Sequence, residues 1–446
     1  MKRTAWPGIV FAAVALIAQA EPMFAQATAG AERPAGGLFG ATRPNGPESE
    51  RLDLSVSLAE AYDDDVYGDL RAGLGPGAVQ TRGFYTMFLA DAAYARQGTR
   101  LQVGASAGSA LRYYPELEKV RSVSHTAAIG LSGRLPWRTT LSMNQTAAYS
   151  PSYLYGLFPG IGTPALGDAL PAAPDYTIND FESYAYGTTL TLERNMERRN
   201  ALSATGEFRY TDFLHQTEQR PDVRFHAVRG QFRRHLSRNT SLRLGYGYRK
   251  GNFQYTTAGA MTEHSLDAGF DYARPLSARR RARVGFTLGS SVADTPEPSA
   301  GRPLLGRLYR FRGDAMLGYD IGQSWQARAT YRRGYEYVAE FPEPVFVDGA
   351  TAALSGLFGR RLEMRVTGAY STGESALRRD GFFFDTYTGN LRFQYALSRS
   401  FAAYAEYLYY FYDFRGNTQG QLAFPDELER NGARIGITLW IPVAGR

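Results

Sequence analysis

Ser241-Leu242-Arg243-Leu244-Gly245-Tyr246-Gly247-Tyr248-Arg249 puts its large apolar residues on one parity and its polar or small residues on the other. Successive side chains of an extended chain point to opposite faces, so this stretch reads as a strand with one greasy wall and one wet wall. The same period recurs. Leu362, Met364, Val366, Gly368 and Tyr370 stand against Arg361, Glu363, Arg365, Thr367 and Ala369. Leu266, Ala268, Phe270 and Tyr272 stand against Ser265, Asp267, Gly269 and Asp271. Near the end, Ile435, Ile437, Leu439 and Ile441 oppose Arg434, Gly436, Thr438 and Trp440. Strands of soluble sandwiches average about five or six residues. These run long enough for a tilted membrane crossing, which needs about 9–11.

About eighteen such segments are predicted, the first at 51–62 and the last at 430–443, and single-chain bacterial barrels need an even number. Tight turns are expected near Gln97-Gly98, Pro136-Trp137, Asn195 to Arg198, Ser237-Arg238, Leu276-Ser277, Gly322-Gln323, Gly359-Arg360 and Ser398-Arg399. Longer connections fall between them, at 63–80, 151–178, 212–220, 292–304, 338–348 and 415–429. The expected fold is therefore all-β, a single antiparallel transmembrane β-barrel with short periplasmic turns and longer extracellular loops. A barrel of about eighteen strands encloses more space than side chains fill, so an aqueous channel is expected unless something plugs it. Loop 151–178 is the expected candidate for folding inward; an ordered external loop is the alternative.

Composition agrees. The chain has 446 residues, 44% hydrophobic, with a mean hydropathy of −0.34. That excludes a bundle of membrane helices, which needs long uncharged apolar runs. It does not exclude a barrel, whose two faces cancel in any window. Aromatics reach 13%, with 30 Tyr and 26 Phe, as suits side chains at a lipid boundary. Cysteine is absent, which excludes thiol catalysis and Cys metal sites. The net charge of +7 is carried by arginine, since lysine occurs only as Lys2, Lys119 and Lys250. The arginines are spread along alternating segments, which does not suit a nucleic-acid surface.

Residues 1–27 read as a secretory signal: Lys2 and Arg3, an apolar run from Ile9 to Ala18, and Ala25-Gln26-Ala27 as a cleavage site. Residues 28–50 read as a flexible periplasmic leader and 51–446 as the barrel. The expected location is the bacterial outer membrane.

Tyr62-Asp63-Asp64-Asp65-Val66-Tyr67 resembles the opening strand of the "β-barrel porin 2" group. That resemblance implies an outer-membrane barrel of a kind that includes exopolysaccharide-associated members. The closing stretch around Arg434, Gly436, Leu439 and Ile441 resembles the signal read by the outer-membrane assembly machinery.

Arginine near mid-bilayer on the lipid face costs about 2–4 kcal/mol, so arginines opposite an apolar face are expected to line the lumen. In the first half of the barrel these are Arg209, Arg229, Arg233, Arg243, Arg249, Arg281 and Arg283. In the second half they are Arg310, Arg328, Arg332, Arg361, Arg365 and Arg392. Asp267, Asp271, Asp314, Asp320, Glu363 and Glu406 share that face. Two readings stay open: a positive lumen that draws anionic solute or acidic polysaccharide, and a structural ladder of ion pairs. Tyr404, Tyr410 and Tyr412 share the inward parity and are candidates for stacking sugars. Asp63 to Asp65 and Asp69 lack the spacing of a dedicated Ca²⁺ loop, so no metal or cofactor is expected. His125, His215, His226, His235 and His264 form no Ser/His/Asp arrangement, so an enzyme is not expected. The leading function is a pore, with exopolysaccharide export through periplasmic partners as its specific form. A non-conducting scaffold or adhesin is the alternative, and a barrel hydrolase the second.

Overall fold

The computed structural model describes residues 49–65, 82–115, 120–149, 183–196, 199–214, 222–253, 260–277, 280–294, 306–322, 324–338, 341, 343–377, 381–416 and 427–445. The expected signal segment, nearly all of the leader and loop 151–178 lie outside these residues. Every described element is a strand. The first nine are β1 (Ser49–Asp63), β2 (Gly83–Gln97), β3 (Leu101–Tyr114), β4 (Val120–Leu135), β5 (Thr139–Tyr149), β6 (Ser183–Asn195), β7 (Asn200–Phe213), β8 (Val223–His235) and β9 (Thr240–Phe253). The others are β10 (Ala260–Ser277), β11 (Arg280–Asp294), β12 (Arg307–Ile321), β13 (Trp325–Glu336), β14 (Val345–Phe358), β15 (Leu362–Ser375), β16 (Phe382–Ala396), β17 (Phe401–Gly416) and β18 (Glu427–Gly445).

Each strand pairs antiparallel with its sequence neighbours, and β1 also pairs with β18, so the sheet closes as an eighteen-stranded barrel. Burial follows the sequence parity. Leu242, Leu244 and Leu266 are 44%, 56% and 63% exposed, while Ser241, Arg243 and Asp267 on the opposite parity are 7%, 7% and 2% exposed. A soluble protein rarely shows so continuous an apolar exterior, and lipid is the solvent that suits it. Lipid supplies no hydrogen-bond partners, so closure is obligatory. A closed single-chain barrel with an apolar outer belt is a bacterial outer-membrane barrel.

The expected strands coincide with the observed ones to within four residues at either end, and one of the differences is informative. β14 begins at Val345 rather than at 349. The short turns bear the strain of reversal: Gly322 and Gly359 have φ of 71° and 66°, and Trp137 and Arg138 have φ of 58° and 56°. Glycine adopts that region without a Cβ penalty. Trp137, 81% exposed, stands at the end of the β4–β5 hairpin, where an aromatic suits the membrane boundary. β18 runs through Pro442, which has no N–H for the ladder; the β1–β18 register shifts at Leu52/Asp53, beside that proline.

The seam is fastened by the Tyr62-Asp63-Asp64-Asp65 stretch. Arg430 reaches across with Nε 3.0 Å from Asp63 Oδ1 and Nη2 2.7 Å from Asp63 Oδ2, and both side chains are buried. Asn431 donates its backbone N–H to Asp64 Oδ1 at 2.7 Å and its side-chain amide to Oδ2 at 2.9 Å. Asp65 N–H donates to Asp63 Oδ1 at 3.0 Å. Lower down, the Ser57 and Thr438 hydroxyls bond at 2.7 Å. Breaking a buried ion pair from one side typically costs about 3–5 kcal/mol, against about 1 kcal/mol for a neutral hydrogen bond. Arg430→Met is therefore expected to lower the unfolding midpoint in denaturant far more than Ser57→Ala. Adding Asp63→Leu to Arg430→Met should recover much of the loss. Equal, small effects of Arg430→Met and Ser57→Ala would remove the seam's special role.

Candidate pore lining and lumen strap

The inner wall is built from guanidinium groups seated between strands. Along β8 to β10, Arg229 meets Asp267 at 2.6 Å, Arg243 meets Asp271 at 2.8 Å, and Arg249 meets Glu263 at 2.7 Å. Arg312 also faces Glu263, at 3.9 Å. Further round, Arg283 meets Asp320 at 3.1 Å, and Arg332 lies 2.5 Å from Glu336 and 3.9 Å from Asp314. On the other side Arg434 binds Glu406 through Nε at 2.8 Å and Nη2 at 2.7 Å, with Arg392 3.9 Å from the same carboxylate. Glycines make this possible. A Cβ at Gly245 would come within 2.7 Å of Asp267 Oδ1 and 3.1 Å of Arg229 Nη2. The glycines of the Gly245-Tyr246-Gly247 repeat are thus places where neighbouring strands seat their polar groups.

The wall remains rich in cations. Glu263 and Glu406 each face two arginines. Arg233 stands directly across from Arg243, and Arg365 from Arg392, and like charges so placed repel. Among the described residues, no carboxylate lies at ion-pair distance from Arg233, Arg281 or Arg328.

A second feature packs into this lumen. β13 pairs with β12 only from Gly313↔Arg333 to Ile321↔Trp325. Above that point β13 continues with β14 alone, up to Glu336↔Val345. The described residues of this hairpin tip, 335–338, 341 and 343–347, have lost β12 as a neighbour and pack against side chains inside the barrel, while 345–347 stay paired with β15. Tyr337 packs against Phe225 of β8 with ring centroids 4.8 Å apart and the planes tilted by 51°, and its ring covers Gly251 of β9. Arg249 Nη1 donates to the Tyr335 carbonyl at 3.2 Å. Phe341 packs at the opposite wall, 5.5 Å from Phe382 of β16 and 5.7 Å from Phe414 of β17. Tyr335 and Phe341 are wholly buried, and burial pushes the Tyr337 hydroxyl far above its ordinary pKa.

Phe346 shows where the hairpin lies. Its parity is that of the outer wall, yet it is 3% exposed with the Arg310 guanidinium 4.7 Å over its ring. Arg310 belongs to the inner face of β12 and also reaches Glu374 of β15 at 2.5 Å. The hairpin tip therefore sits inside the barrel, behind β12. Its far end is held by Ser375, whose hydroxyl donates to Glu343 Oε1 at 2.7 Å, and by the Ala376 N–H on the Pro344 carbonyl at 3.0 Å. The described strap residues thus meet β8 and β9 through Tyr337 and β16 and β17 through Phe341, at the extracellular end of the lumen.

The expected lumen residues are placed as follows. Arg209 lies on the inner face of β7 beside Glu207 and over the Phe225 ring at 4.9 Å. Arg281 and Arg328 lie toward the periplasmic ends of β11 and β13. Arg365 pairs with Glu363 at 3.4 Å. Arg361 is in the β14–β15 turn and not on a strand, so it sits at the periplasmic rim. Tyr404, Tyr410 and Tyr412 do point inward, but the rings are packed. Arg392 covers Tyr404 at 4.3 Å, and Tyr410 and Tyr412 join the cluster around Phe341, 2% and 0% exposed. Their faces are occupied in this state, which corrects the expectation of an open sugar track. Within the closing stretch, Arg434 is bound to Glu406, Gly436 lies under the Tyr404 ring, and Leu439 and Ile441 face outward. His125, His226 and His264 face outward beside aromatic rings. The sequence reading missed Arg112 and Arg430, both fully buried, and the strap itself.

No protein-family model and no curated protein matches the sequence. Among solved structures, the chain is similar to Pseudomonas aeruginosa OccK2 (OpdF) in complex with glucuronate, at 11% identity over 89% of this chain and 98% of that one, with a TM-score of 0.43. It is similar to Pseudomonas aeruginosa OprD at 12% identity, over 89% and 96% of the two chains, with a TM-score of 0.40.

Proposed function

We propose that the protein is a porin-like channel of the outer membrane, with a lumen that prefers anions and an extracellular end controlled by the strap 335–347. The observation that carries the reading is the ratio of charges on the inner wall. Glu263 and Glu406 each serve two guanidiniums, Arg281 stands across from an Asp320 already bound by Arg283, and Arg233 and Arg328 have no carboxylate at ion-pair distance among the described residues. Such a wall focuses positive potential along a low-dielectric cylinder and concentrates anions there. The ladder of ion pairs and the anion path are one construction, because the pairs hold the wall and the surplus sets its sign.

The strap then decides access. Its two anchors are aromatic, Tyr337 on Phe225 and Phe341 among Phe382, Phe384 and Phe414. Removing one buried aromatic costs about 3–5 kcal/mol, against the roughly 5.5 kcal/mol that carries a two-state element from one state almost wholly to the other, so loss of both anchors should shift the hairpin tip. Export of an acidic exopolysaccharide with periplasmic partners is the finer form of this proposal. It requires the strap to swing clear, since a polymer cannot thread past a hairpin packed at both ends.

Purified protein in a planar bilayer under a salt gradient is expected to give a reversal potential of anion-selective sign. Arg281→Glu with Arg328→Glu should move it toward cations. Cation selectivity in the unmodified protein would end the anion reading, and absence of any conductance would favour a scaffold.

Tyr337→Ala with Phe341→Ala is expected to raise single-channel conductance or open probability. The chain has no native cysteine, so Gly251→Cys with Tyr337→Cys can tie the strap to β9 without competing thiols. Oxidation should hold the channel in its low-conductance state and reduction should release it. Indifference to both changes would mean that the strap is not the constriction.

A further inference from the structure

The outer wall carries a charged patch that the pore does not use. Around the extracellular rim, outward-facing arginines are matched by carboxylates on the neighbouring strand or their own. Arg307 meets Asp294 at 2.7 Å, Arg333 meets Asp348 at 3.0 Å, and Arg415 meets Asp413 at 2.9 Å and also Asp385. The outer face of β8 and β9 differs. His226 stands directly across from Lys250, and Arg224 is two residues along β8 on the same face, across from Asn252. Among the described residues, no carboxylate lies at ion-pair distance from Arg224 or Lys250. The nearby Asp222 accepts the Phe213 N–H at 3.2 Å and the Tyr210 hydroxyl at 3.5 Å.

Depth on the wall narrows the choice of partner. Arg224 follows the first residue of β8, and the next outward residues toward the periplasm are apolar: Val228, Tyr246 and Leu244 are 45%, 52% and 56% exposed. The patch therefore sits where acyl chains end and headgroups begin. Aromatic rings frame it. Arg224 lies 5.2 Å over Tyr210, Phe208 is 5.0 Å from His226, and Tyr248 is 5.1 Å from His264. Aromatic side chains favour that boundary.

We propose that Arg224, His226 and Lys250 form a docking site for the phosphate-bearing headgroup of an outer-leaflet lipid. Charge complementarity selects the phosphate, and the apolar belt directly below selects a molecule that carries acyl chains. Arginine and lysine supply charge-assisted donors, and the imidazole between them adds a donor at the same level. The site is independent of conduction, since it lies outside the barrel.

The test is native mass spectrometry of the full barrel in neutral detergent, with bis-phosphorylated lipid A as probe and the same lipid stripped of phosphate as comparison. The phosphorylated probe is expected to stay bound in preference. Arg224→Gln/His226→Gln/Lys250→Gln should weaken retention by at least about tenfold, since each basic residue at a membrane surface contributes on the order of 1 kcal/mol. Arg307→Gln/Arg333→Gln/Arg415→Gln should leave it unchanged, as those cations are already paired. Lys250→Arg alone should also retain the probe, which guards against a variant that merely folds badly. Inorganic phosphate at equal concentration should not displace it. Equal retention of the stripped lipid, undiminished binding by the triple glutamine variant, or displacement by inorganic phosphate would each overturn the proposal.

Discussion

The structure depends on one constraint: in hydrocarbon, a backbone N–H or C=O has nothing to bond except another strand. A sheet of seventeen adjacent pairings would still fail if β1 and β18 did not meet. The ends of the chain therefore bear the most consequential pairing, and it is reinforced with side chains. Asp63 and Asp64 at the top of β1 are spent on Arg430 and Asn431 of β18. An acidic run that invites a cation-binding reading is instead the clasp of the barrel. The desolvation of Arg430 and Asp63 is offset only while both are present, so the pair also checks that the correct two strands have met.

The same constraint explains the composition of the inner wall. Arginine is excluded from the mid-bilayer belt of the outer face by its cost there, and a long side chain turned inward needs both space and a counter-charge. Neighbouring glycines supply the space and Asp267, Asp271, Glu263 and Glu406 the counter-charge. Because some carboxylates serve two guanidiniums, structural neutralisation is incomplete. On the proposed reading, the positive sign of the lumen follows from how the wall is stabilised and needs no separate set of residues.

Period-two patterning made the barrel legible because lipid and water sort side chains onto opposite faces over the membrane-spanning part of each strand. Leu242 to Tyr248 and Ile435 to Ile441 could be placed by parity alone, and Arg229, Arg243 and Arg249 lie on the opposite parity, beside Asp267, Asp271 and Glu263. Parity says nothing about what covers an inward residue, so Tyr410 and Tyr412 looked available when Phe341 and its neighbours enclose them. It also says nothing of seam partners such as Arg430, whose significance depends on a residue at the opposite end of the chain.

The strap escaped for a related reason, and the reason is itself informative. Val345-Phe346-Val347 is apolar on both parities, which in a barrel strand would place Phe346 in lipid and the valines in water. A strand with two greasy faces must have protein on both sides. Here one face meets Arg310 on β12, and the other meets the aromatic cluster of β16 and β17. Loss of alternation near a rim, next to prolines such as Pro342 and Pro344, is thus a sequence mark of a hairpin with protein on both of its faces. On that criterion the break in pattern at 335–347 carries more functional information than loop length, because an inward hairpin needs two buried faces while a long external loop needs none.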